Sequence, residues 1–111
     1  MATIIRPQDR KLAPLDAARP DGIWMQYVQA DAPYVHMTRT PPGHHISLHS
    51  HSETEVTVIL SGAARLGELE CGPGTVLVIP AHEKYELSAG EGEPLVFVVV
   101  RPRRAAYEAA R

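Results

Sequence analysis

An all-β domain built from many short strands is what this 111-residue chain predicts. Ten prolines and eight glycines are spread along it as punctuation, not gathered in one segment, and residues of this kind interrupt helices and mark turns. Between them lie short runs rich in Val, Ile, Thr and Tyr, which favour a pleated, half-buried surface. Runs recurring about every eight to twelve residues indicate a sandwich or barrel. The length fits one domain around one core.

Residues 1–22 carry Pro7, Pro14 and Pro20 and end in the turn pair Asp21-Gly22, so they read as an irregular or edge segment. Strands are expected at 23–29 and 34–40, the second ended by Pro41-Pro42-Gly43, which cannot continue a ladder. Further strands follow at 45–51, 55–60, 63–66 and 68–71, separated by turns around Ser52, Ser61-Gly62 and Gly67. Gly72-Pro73-Gly74 and Pro80 bracket a strand at 75–79; the last two occupy 85–88 and 95–101. Only the tail, 103–111, reads as a short helix. Val96 to Val100 is apolar at every position, whereas a strand with one wet face alternates. Its outer face is therefore expected to be covered, by the N-terminal segment or by a second subunit, and a homodimer is the expected assembly.

Charged residues make up 22% and hydrophobic ones 44%, and the net charge is −2 with no basic stripe, so nucleic acid is not an expected partner. The longest apolar run, Leu95 to Val100, falls far short of the roughly 20 residues that span a bilayer. With no apolar leader at the N-terminus, a cytoplasmic protein without membrane contact is expected. The single cysteine, Cys71, cannot form an intramolecular disulfide and reads as a small buried apolar residue beside a turn.

The chemistry is concentrated around residue 50. His49 and His51 are two apart, and on a strand such residues project from one face, so both imidazoles can converge on one point. Beyond a turn, Glu55 opens an apolar strand, where a carboxylate is costly to bury unless a charge compensates it. If the two strands form a hairpin, Glu55 folds back beside the histidines. Two imidazoles and a carboxylate suit one divalent metal ion, whether Fe, Mn, Ni, Co or Zn.

The glycines around this set carry a resemblance. Gly43, five residues, His49, Ser50, His51, three residues, Glu55, six residues and Gly62 match the first cupin motif, G-x5-H-x-H-x3,4-E-x6-G, at every defined position. Gly74, five residues and Pro80 resemble the start of the second, G-x5-P-x-G-x2-H. The chain thus resembles the cupin superfamily over roughly 34–101. That resemblance implies a double-stranded β-helix, or jelly-roll β-barrel, with His49, His51 and Glu55 as metal ligands.

Where the second motif has glycine this chain has His82, and where it has its last histidine ligand this chain has Tyr85. Three roles are open to Tyr85: a phenolate ligand, a catalytic hydroxyl beside an open coordination position, or the mark of a degraded site in a barrel that simply binds a small molecule. His82 reads as a turn residue adopting the conformation glycine would have taken. His45, four before His49, is expected on the same face with Ser47 and so to meet substrate; Arg39 is a second substrate contact if it points inward. His36 and His44 read as surface residues.

The resemblance implies a metal-dependent enzyme acting on a small organic molecule inside the barrel. Dioxygen activation would go with iron, and isomerase, lyase or decarboxylase chemistry with other ions. Two rivals stand beside it: a small-molecule-binding module or sensor without turnover, which would act through a separate partner, and a metal-free enzyme using His49 or His51 as base with Tyr85 as acid.

Overall fold

The computed structural model describes residues 2–109. Eleven strands form two antiparallel sheets: β1 (Ala13–Pro14), β2 (Trp24–Gln29), β3 (Tyr34–Thr40), β4 (His45–His51), β5 (Glu55–Ser61), β6 (Ala64–Leu66), β7 (Leu69–Cys71), β8 (Val76–Ile79), β9 (Tyr85–Ala89), β10 (Leu95–Arg101) and β11 (Tyr107–Ala109). One sheet runs β1-β2-β3-β10-β5-β8 and the other β11-β4-β9-β6-β7. The strands close into a jelly roll, but the hairpin expected between β4 and β5 does not form: the two strands lie in opposite sheets, so Glu55 meets the histidines across the barrel and not along a shared ladder. The N-terminal segment supplies an edge strand, β1. Among the described residues the sole helical turn is a 3-10 turn at Pro7–Asp9, and no helix is long and apolar enough to cross a membrane.

The core lies between the sheets. Ile59, Leu95, Phe97 and Val99 from the larger sheet meet Ala64, Leu87 and Ala89 from the smaller one. Strand β10 is central, paired with β3 on one side and β5 on the other. Its alternation buries Leu95, Phe97, Val99 and Arg101, so the strand that looked apolar throughout carries one inward charge at its end.

Seven valines face outward on β10, β5 and β8: Val96, Val98 and Val100, then Val56 and Val58, then Val76 and Val78; Leu60 of β5 is exposed beside them. The N-terminal segment lies at one end of this face. Arg10 and Leu12 line a groove with Trp24, Arg39 and Val96, and the Lys11 N–H donates to Gln26 Oε1 at 2.7 Å. The other end is open, with Val76 56% and Val78 65% exposed.

The expected helical tail is corrected. Residues 107–109 form a strand, with Tyr107 opposite His51, Glu108 opposite Ser50 and Ala109 opposite His49; residues 110–111 lie outside those described. The free edge of β4 supplies ladder partners that outweigh the modest helix preference of an Ala/Glu tail. Ser52 and Ala106 reinforce the edge, each donating a backbone N–H to the other residue.

Two motif glycines are required by geometry. Gly43 has φ 74° and Gly62 φ 76°, a left-handed conformation that costs other residues about 1–2 kcal/mol. A Cβ on Gly62 would also collide with the Pro94 carbonyl oxygen. Gly62→Ala is expected to destabilise the fold by about 2 kcal/mol or more, read as a lower urea midpoint with an unchanged denaturant slope; an unchanged midpoint would refute the close approach.

Candidate functional site

Glu55 opens β5 and points into the barrel, with only 4% of its surface exposed. Both of its oxygens are engaged. Arg101 donates to Oε1 from Nε at 3.1 Å and from Nη2 at 2.8 Å. Thr57, two residues along the same face, donates its hydroxyl to Oε2 at 2.6 Å, and the Tyr85 hydroxyl donates to Oε2 at 3.3 Å. Burial by itself would raise the Glu55 pKa, but the Thr57 hydrogen bond and the Arg101 guanidinium outweigh it and hold the carboxyl below its usual range.

His49 and His51 stand beside this pair, ring centroids 4.9 Å apart. His49 shares a 2.7 Å hydrogen bond between Nδ1 and the Ser47 carbonyl, and its ring lies between Tyr85, at 4.5 Å, and Tyr107, stacked at 5.0 Å. His51 Nε2 faces Arg101 Nη2 at 3.4 Å. Burial first, then the guanidinium, lowers the His51 pKa. His36 is also buried, its Nδ1 sharing a 2.7 Å hydrogen bond with the Tyr34 hydroxyl. Burial and then Arg101 lower its pKa from 6.5 to about 4.

These side chains line one end of a cavity of about 190 Å³ whose remaining wall is apolar, formed by Ile46, Leu77, Ile79, Leu87, Phe97 and Val99 among others. Glu55 and Arg101 are the carboxylate and guanidinium in its lining, and they are paired. Thr38 lines it too, and its buried hydroxyl has no hydrogen-bond partner.

The three residues that the cupin resemblance makes metal ligands are thus brought together, but not as a ligand set. Among the described residues no group of three His, Cys, Asp or Glu side chains is placed to hold a metal ion. A carboxylate offers about four lone-pair sites, and Glu55 spends them on Arg101, Thr57 and Tyr85. The guanidinium also stands at His51 Nε2. A divalent ion does not fit this arrangement.

Tyr85 sits opposite His49 in the β4–β9 ladder. Burial and the Glu55 carboxylate push its phenol well above the ordinary value of 10, opposite to what a phenolate ligand requires. His82 has φ 65°, the left-handed conformation expected where the motif has glycine, and its Nδ1–H donates to Glu108 at the surface.

Two expected substrate contacts are corrected. His45 faces outward, bonded to Ser88 and Glu86. A bulge between Ile46 and His49 shifts the register of β4 against β9, and one extra residue reverses which face follows. Arg39 lies on the outer face with its guanidinium 4.8 Å from the Trp24 ring. In their place stand Arg101, Thr57, His36 and Tyr107. Arg101 was open to discovery, since parity with Phe97 and Val99 puts it inside; Tyr107 was hidden by the helical reading of the tail.

A family model for the AraC-like ligand binding domain matches residues 34–111. The chain belongs to that family. It is a cupin, and solved structures share its fold across low identity. It is similar to an RmlC-like cupin protein from Ralstonia eutropha JMP134, at TM-score 0.79 and 17% identity over 96% of this chain and 72% of that one. It is also similar to the polyketide cyclase RemF from Streptomyces resistomycificus, at 0.76 and 19% over 100% and 87%. A predicted oxalate decarboxylase from Thermotoga maritima aligns at 0.70 and 19% over 92% and 100%. Among curated protein sequences none matches this chain.

The neutral buried histidine sets a pH dependence. With a pKa of 6.5 unfolded and about 4 folded, His36 takes up a proton only in the unfolded chain as pH falls through 6.5. Stability is therefore lost between pH 6.5 and 4, and the depressed Glu55 adds loss in the same direction. His36→Asn, which keeps an acceptor for Tyr34, is expected to lower proton uptake on unfolding near pH 5 by about one. Calorimetric unfolding in buffers of different ionisation enthalpy measures this, and an unchanged uptake would show that His36 is charged in the fold.

Proposed function

We propose that this cupin binds one small, uncharged organic molecule in its barrel, with an apolar body and a single hydroxyl or carbonyl end. The observation that carries this reading is the cavity's charge balance: an apolar wall in which Glu55 and Arg101 neutralise each other. A charged ligand would enter without a counterion, and an unpaired charge in an apolar site is strongly disfavoured. The buried, unpartnered Thr38 hydroxyl gives the polar end of the ligand a partner. The volume of about 190 Å³ is below the roughly 300–1,000 Å³ of drug-sized pockets, which restricts the ligand to a small one. Membership in a ligand-binding family supports the same reading.

Binding, not turnover, is the role the site favours. The Tyr85 hydroxyl is committed to Glu55 and its proton is held more tightly than that of a free phenol, which suits a fixed donor and not a general acid near neutral pH. Small alcohols, ketones and amides, screened by thermal shift, should raise Tm where their carboxylate and ammonium analogues do not. Stabilisation by charged compounds alone would overturn the reading. Thr38→Val should leave the unliganded protein as stable or more so, because it removes an unsatisfied hydroxyl, while weakening the ligand about 3- to 10-fold.

A second copy of this chain is the proposed cover for the open end of the valine face. Val56, Val58, Val76 and Val78 present no charge there, and an uncharged apolar patch is self-complementary across a two-fold axis. Sedimentation should show a dimer that Val78→Lys converts to a folded monomer; a monomeric wild-type protein would leave the face without this partner.

A further inference from the structure

We propose that the Arg101 guanidinium is the resident cation of this barrel, standing where the cupin motif would otherwise hold a metal ion, and that the donors around it form a latent metal site that the arginine keeps closed. The proposal rests on the geometry of Glu55 and does not depend on the identity of the organic ligand.

Three observations converge on it. Glu55 and Arg101 are both nearly removed from water, their side chains 5% and 7% exposed, so the carboxylate needs a cation in contact and has one. The guanidinium also reaches His51, with Nη2 at 2.8 Å from Glu55 Oε1 and 3.4 Å from His51 Nε2. It bridges two of the three groups a metal would bridge. Finally, an aromatic ring holds it in place: its central carbon lies 5.1 Å from the Tyr34 ring centroid, a cation–π contact. A planar fork with Glu55 at one edge and an aromatic ring against it is a defined seat, not a side chain filling spare volume.

A divalent ion and a guanidinium would compete for the same carboxylate in a site too dry to screen them from each other. Removing the guanidinium should therefore uncover Glu55, His51 and His49 together. Metal binding would be gained, not lost, on substitution.

The test is metal stoichiometry of the full chain purified without chelator or metal-affinity steps, followed by titration with Zn²⁺ and Ni²⁺. The wild-type protein should carry well under one equivalent and show no saturable stabilisation by either ion. Arg101→Met, which keeps the apolar stem and removes the charge, should lose about 10 °C or more in Tm. One equivalent of Zn²⁺ or Ni²⁺ should recover much of that loss, and adding His49→Ala should abolish the recovery. The neutral pair Arg101→Met with Glu55→Gln should fold without metal and bind none.

A wild-type protein that retains about one metal per chain would overturn the proposal, because Arg101 would then yield to the ion. Failure of Arg101→Met to bind either ion, whether it folds alone or only the neutral pair folds, would overturn the latent site. If the wild type is metal-free and no organic compound shifts its Tm, the ligand reading fails while the assignment of Arg101 stands.

Discussion

The interior of this barrel is organised around one buried ion pair. A carboxylate at the start of β5 and a guanidinium at the end of β10 meet because the two strands are antiparallel neighbours, with Val100 opposite Val56. Placing either charge there alone would be prohibitive; removing one member of such a pair typically costs about 3–5 kcal/mol. Together they form a site whose hydrogen-bonding capacity is nearly exhausted internally. Thr57, Tyr85 and His51 all orient toward the pair, and His36 and His51 stay neutral beside it. The chemistry left to the cavity is accordingly that of shape, apolar contact and a few neutral polar groups.

The same pair explains how a metal motif can persist without assembling a metal centre. The spacing of His49, His51 and Glu55 reflects one turn between two strands, and that turn is retained. What the site does with the three side chains depends on a residue nearly fifty positions away. The cupin fold tolerates this exchange because the barrel wall is set by backbone pairing and by apolar residues such as Ile59, Leu95 and Val99, not by the ion.

The inner face of the larger sheet mixes polar residues with the apolar core, while its outer face over β10, β5 and β8 is apolar. Tyr34, His36, Thr38 and Thr40 of β3 point inward, as do Glu55 and Thr57 of β5, while valines point outward. A few inward polar groups in an otherwise apolar cavity fit a binding site, and an apolar outer face fits a surface meant to be covered. At one end the N-terminal segment lines a groove together with Trp24, Arg39 and Val96. On the smaller sheet, β11 seals the edge of β4 and lays Tyr107 against His49, so the end of the described chain contributes to the site itself.

The strand order along the chain is legible in the sequence, because proline and glycine interrupt ladders wherever they occur and valine-rich runs between them have few alternatives. So is the shared face of His49 and His51, which follows from strand period; their meeting with Glu55 is not, because β4 and β5 lie in opposite sheets. The left-handed backbone at His82 was legible for the same local reason. What required tertiary structure was everything set by contacts distant in sequence or by parity. His36 read as a surface residue, and only its register opposite Val99 of β10 places it inside. His45 changed faces through a single extra residue between Ile46 and His49, a bulge that composition does not announce. The tail became a strand because β4 had a free edge. The partner of Glu55 was decided by antiparallel register across forty-six residues, and local sequence carries no record of which cation a buried carboxylate will meet.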